Sequence, residues 1–222
     1  MKKKNIPKLS IFETFKTKHK ELTGEAKRQR SIISHLVTST SSAAKTRTAI
    51  SKRIAKDHGV VWKNIYSGIF RDLEEVLVPL GIVKEEGRLP LKRGPKALQE
   101  KGIPFYELTL EGLLISLSLK EITDRKKILE KFLSEVNIEE KEFHDILQKL
   151  GKIAPRFVCS LFEKYAITYC EGKIDNLLPL NLIKIGKISN ESIGIQIEFL
   201  ESHAKMSNTE KDNMISFLKK IS

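Results

Sequence analysis

The chain has 222 residues, 40% of them hydrophobic and 31% charged, a composition expected of a soluble, mostly helical protein with one large domain or two small ones. Its net charge of +12 is unevenly placed: the first hundred residues hold 22 Lys and Arg against 10 Asp and Glu, and the remainder balances at 18 against 18. These bounds exclude a membrane-spanning helix, since no apolar run approaches about 18 residues, and a disulfide framework, since Cys159 and Cys170 are the only cysteines.

A field of one sign over half a chain draws in polyanions, with nucleic acid the first candidate and an anionic membrane surface the second. The basic start, "MKKKNIPKLS", has no apolar stretch or cleavage pattern behind it, so no secretory signal is expected and the cytoplasm is the expected location. Residues 1–24 read as a basic arm. "IFETFKTKHKEL" has the makings of a short helix, with Phe12 and Phe15 able to dock on the body.

A first helix is predicted over 25–38, where Ile32, Ile33, Leu36 and Val37 fall on one stripe. "TSTSS" at 38–42 breaks it, and Ser42 or a neighbouring hydroxyl can cap a second helix over 43–57. Ala49, Ile50, Ile54 and Ala55 line its inner side, and Gly59 suits the left-handed position past its end. The third helix runs from about Val61 to Pro79. Trp62, Ile65, Ile69, Leu73, Val76 and Leu80 recur at steps of three and four. Lys63, Asn64, Ser67 and Arg71 occupy another side, and the acids Asp72, Glu74 and Glu75 come only in the later turns. A helix entering a major groove by its N-terminal half needs that polarity.

"LGIVKEEG" reads as a strand leaving this helix, and "IPFYELTLEG" as a returning one. The loop between them is stiffened by proline, and Arg88, Lys92, Arg93 and Lys96 bring four cations into nine positions. Such a loop can lie along phosphates or enter a minor groove. From 112 onward the chain reads as neutral and helical. "DRKKILEKFLSEV" has Thr123 as a candidate cap, Pro155 opens "PRFVCSLFEKYAITYC", and two final helices cover about 191–204 and 208–220. Ser207 and Glu210 form a capping box before the last of these. "NLIKIGKI" shows partial strand alternation. Val158, Phe162, Tyr165 and Tyr169 make an aromatic face suited to a core or an interface.

These residues resemble the winged helix-turn-helix family, in the style of PadR- or MarR-like bacterial and archaeal transcription regulators. The resemblance covers about 28–115, and its most specific piece is "FYELTLEG" at 105–112. It implies a mainly α fold with a small β-wing: a winged helix-turn-helix domain over 25–115, then an all-helical region over 116–222. It further implies a non-catalytic, sequence-specific regulator of duplex DNA. Lys63, Asn64 and Ser67 would read the groove with Arg71 beside them, and Tyr66 would stack on the backbone or join the core. Arg47, Lys52 and Arg53 would touch phosphate, as would the wing cations. The neutral C-terminal helices would form a homodimer, with an effector pocket, a docking site for another protein and packing on the first half left open as their other uses. A non-specific architectural or RNA-binding protein and a protein-interaction adaptor stay open as alternatives. Two local features differ from the family: the exit from the third helix is lengthened at Pro79, and the wing loop is long.

No cofactor, metal or catalytic residue is expected. The histidines at 19, 35, 58, 144 and 203 lack metal-ligand spacing, and there is no Walker motif or nucleophile elbow. Glu139, Glu140, Glu142, His144 and Asp145 belong to a lysine-laced helix and read as a solvated face.

Overall fold

A computed structural model describes residues 7–16, 21–91, 101–138, 140–188 and 191–221. The first helix, α1 (Gly24–Thr38), is capped by the Thr23 hydroxyl, which accepts from the Ala26 amide at 3.1 Å. The expected second helix divides in two: a 3-10 turn over Ser42–Lys45 precedes α2 (Arg47–Asp57). Ser41 caps the turn, and Thr46, rather than Ser42, caps α2 by accepting from the Ala49 amide. Gly59 takes φ +65°, as a helix-ending left-handed residue should.

The third helix begins as α3 (Trp62–Arg71) and continues as a π turn over Asp72–Leu77. Gly81, at φ +69°, then turns the chain into β1 (Val83–Leu89), which pairs antiparallel with β2 (Ile103–Leu108). Val83 faces Leu108, Leu89 faces Ile103, and a bulge separates Glu85 from Gly87. Arg88 therefore lies on a strand and not in the loop. The fold so far is mainly helical with one short antiparallel hairpin, compatible in general with a winged-helix arrangement.

The strand-to-helix junction explains the sequence "LTLEG". Thr109 caps α4 (Leu110–Leu117), accepting from the Gly112 amide at 3.1 Å and donating to the Gly81 carbonyl. Gly112 lies so close to Ile82 that a Cβ there would overlap the Ile82 carbonyl oxygen. Helices α5 (Arg125–Glu135), α6 (Lys141–Ile153) and α7 (Pro155–Cys170) follow, with Pro155 in the first turn of α7. The Thr123 hydroxyl does not cap α5; Asp124 stands at the cap position and makes no side-chain cap bond. "NLIKIGKI" contains a single helical turn, α8 (Leu182–Ile185), capped by Asn181. The chain closes with α9 (Glu191–Lys205) and α10 (Asn208–Ile221), the latter opened by the Ser207–Glu210 capping box.

One continuous core runs through α1 to α7 and crosses from the hairpin to the later helices. Buried α4 is its centre, with Leu114, Ile115 and Leu117 shut off from solvent. The aromatic face of α7 is spent here. Phe162 meets Phe132 edge-to-face at 5.5 Å, and the Tyr165 hydroxyl donates to the Leu177 carbonyl at 2.9 Å. No helix forms over the described part of 7–23. Instead Leu9 and Ile11 are buried, and the Ser10 amide donates to Gln29 Oε1 at 2.8 Å. Phe12 packs on the core, while Phe15 stays largely exposed.

Candidate nucleic-acid interface

Helix α3 has two unlike sides. Ile69 is fully buried, and Trp62, Ile65 and Tyr66 are half-buried around it. Lys63, Asn64, Ser67 and Arg71 are all exposed, and their spacing of three and four places them on one contiguous strip. The Tyr66 ring meets Trp62 edge-on at 5.7 Å, so Tyr66 packs within the protein while keeping some exposure. Lys52 Nζ lies 5.8 Å from the centre of the Trp62 ring, bringing α2 and α3 together at this corner.

The later acids do not all face outward. Asp72 is completely buried and accepts from Arg28 Nε at 2.6 Å. Burial raises its carboxyl above the ordinary range, more than the Arg28 hydrogen bond lowers it. Gly68 makes room for this pair: a Cβ there would stand 3.0 Å from Arg28 Nε. Glu74 is half-buried and accepts from the Tyr106 hydroxyl. Arg47 Nη1 stands 3.7 Å from the same carboxylate, with its guanidinium 5.0 Å over the Phe70 ring. Burial, then the bond to Glu74, pushes the Tyr106 phenol far above its ordinary value and keeps it a donor. Of the three acids Asp72, Glu74 and Glu75, only Glu75 is exposed.

Several expected phosphate ligands already have partners. Arg47 belongs to the Glu74–Tyr106 group, Arg53 Nε lies 3.1 Å from Asp57 Oδ2, and Arg88 bonds Glu85 through Nε at 2.7 Å. Arg53 and Arg88 are nevertheless exposed, and such surface pairs contribute little to stability. Lys63 and Lys52 are exposed, and Arg71 comes only within 4.0 Å of the buried Asp72. Lys92, Arg93 and Lys96 lie outside the described residues. The described strands carry Lys84, Glu85, Glu86, Arg88 and Glu107, so they are not basic themselves. Sequence reasoning missed Arg28, Asp72, Glu74 and Tyr106, the groups that brace α3 against α1, α2 and β2. The readable signal was an acid and a small residue four apart, Gly68 and Asp72, on the inner side of a basic helix.

Behind α2 a polar cleft of about 440 Å³ is lined by Ser31, Ser34, His35, Arg53, Asp57 and Glu121, among others. Its charges are matched internally, Arg53 with Asp57 and Arg30 with Glu121. Among the described residues no three metal-type ligands come together, and no helix is long and apolar enough to cross a membrane. No family model, curated protein or solved structure matches the chain.

Proposed function

We propose that the chain is a non-catalytic protein that binds duplex DNA and acts as a transcription regulator. The observation that carries this reading is the exposed strip Lys63–Asn64–Ser67–Arg71 on α3, flanked by the exposed cations Lys52 and Arg53 of α2. Lysine, arginine and amide side chains are the groups that pair with base edges and phosphates. The strip lies on a helix whose other side is anchored by Ile69 and whose later turns are held by two carboxylate networks. The sequence between β1 and β2 adds Lys92, Arg93 and Lys96. Backbone contacts supply most of the affinity and give it a steep salt dependence, while the α3 strip supplies selectivity.

Duplex binding measured across salt concentrations, with targets selected from a random duplex library, tests the reading. Lys52→Ala with Arg53→Ala lowers the salt slope by about two units, and Lys63→Ala with Asn64→Ala relaxes sequence preference at the contacted positions. Equal binding to all duplexes, or tighter binding to RNA, overturns the regulator reading in favour of an architectural or RNA-binding one. A second reading has its own observation: Val60, Val61 and Phe70 are exposed beside the same strip. A protein-interaction adaptor uses such apolar side chains, and it shows no salt-dependent duplex binding at all.

A further inference from the structure

The turn between α2 and α3 leaves two valines in the open: Val61 is 60% exposed and Val60 45%. The helix itself does not call for them. Val61 is the N-cap residue of α3, a position where serine, threonine, aspartate or asparagine stabilises a helix and valine does not. No side chain caps α3, and no acid lies in its first turn. The pair is nonetheless held in place. The Val60 amide donates to the Ala55 carbonyl at 3.0 Å, and the Val61 carbonyl accepts from the Asn64 amide at 3.0 Å. Gly59, at φ +65°, makes the reversal just before them.

We infer that Val60 and Val61 are specificity-determining residues that read the C5-methyl groups of thymines in the major groove; this rests on the duplex-binding reading of the α3 strip. Three observations favour that occupant. First, charge: no acid occurs from His58 to Arg71, Lys63 and Asn64 are exposed just after the valines, and Lys52 lies against the ring of Trp62, the next residue. What meets the valines is therefore anionic around a small apolar group. Second, size: two valines fall far short of the roughly 800 Å² per partner that a stable protein interface takes. Phe70, the other exposed apolar side chain of α3, carries the Arg47 guanidinium over its ring. Third, position: a recognition helix reads base edges with its N-terminal residues, and the valines stand at that end. The thymine methyl is the apolar group that a base edge presents in the major groove, set among hydrogen-bonding groups as the valines are set among Lys52, Lys63 and Asn64. Asparagine pairs with adenine through N6 and N7, so Val61 and Asn64 together suit neighbouring A·T pairs.

Deoxyuridine in place of thymidine tests this, because it deletes the methyl group and keeps every hydrogen-bonding group of the base. The full chain is titrated against the duplex selected from the random library, with each thymine replaced in turn. Uracil at one or two positions is expected to weaken wild-type binding about fourfold each, the effect of one buried methyl group. Val60→Ala with Val61→Ser abolishes that dependence, so the variant binds the thymine and uracil duplexes equally. The serine hydroxyl supplies the missing cap, and the variant melts no lower than wild type. Val61→Ile, which preserves the apolar contact, preserves the fourfold difference. Equal wild-type affinity for thymine and uracil at every position overturns the inference and leaves the proposed function standing. So does a fourfold difference that survives in the Val60→Ala, Val61→Ser protein. Absence of salt-dependent duplex binding overturns both and leaves the valines to a protein partner.

Discussion

Replacing Gly112 by alanine tests the junction on which the hairpin is hung. The added Cβ would stand 3.2 Å from the Ile82 carbonyl carbon, closer still to its oxygen, and 3.0 Å from Leu108 Cβ. Both neighbours are held: Ile82 is buried, and Leu108 closes the ladder opposite Val83. Relief requires α4 to retreat from the turn at 81–82. That retreat stretches the Thr109 amide bond to the Ile82 carbonyl and the Thr109 hydroxyl bond to Gly81. Overpacking against fixed backbone costs about 1–3 kcal/mol, and the weakened hydrogen bonds add about 1 kcal/mol. A total of about 3 kcal/mol lowers the melting temperature of a chain this size by roughly 10 °C. Thermal unfolding followed by circular dichroism reads this directly. Gly194→Ala is the control, because nothing lies within 4 Å of a Cβ there, and it leaves the main transition in place. A Gly112→Ala protein that melts with wild type would refute the close approach as a determinant of the fold.

Two further predictions concern the ion pairs. Arg28→Met removes the hydrogen-bonded cation from the fully buried Asp72, whose Oδ1 has no hydrogen-bond partner, and costs about 3 kcal/mol in urea denaturation at pH 8. Asp72 has a raised folded-state pKa, so protonation favours the folded state and the deficit shrinks as pH falls; a deficit independent of pH would show that Asp72 is not the stranded charge. The Lys45 hydrogen bond, stronger here than burial, holds the Glu107 carboxyl below its ordinary 4.5. Its contribution is therefore complete above that value and is lost as pH falls through the depressed one. Glu107→Gln should melt below wild type near neutrality and alongside it at about pH 3.

The sequence exposes the elements whose signals are local. The apolar stripes of α1, α2 and α7 read at their true positions, because each helix faces one core along one side. Thr109, Pro155 and the Ser207–Glu210 box were legible because a cap is a contact between residues three or four apart. Long-range pairings were not legible. Arg28 meets Asp72 across 44 positions and Lys45 meets Glu107 across 62. Nothing in a linear pattern distinguishes these cations from the solvent-facing ones of α2. The same blindness affected Arg47, which has the composition of a phosphate ligand and the position of a brace. Leu9 and Ile11 were hidden because two buried residues separated by one position in a lysine-rich arm show no period. The π turn was hidden as well, since a helix widened over Asp72–Leu77 keeps its apolar spacing almost unchanged.

The core that passes through α4 determines which parts of the molecule can open separately. The strands of the hairpin and the helices after them are lined by the same buried side chains, so releasing one uncovers the other. Backbone amides on β2 and on α7 then share a single cooperative opening, the slowest in the chain to exchange with solvent hydrogen. The described side chains of α9 and α10 lie outside that core. Local opening there leaves the α3 strip in place.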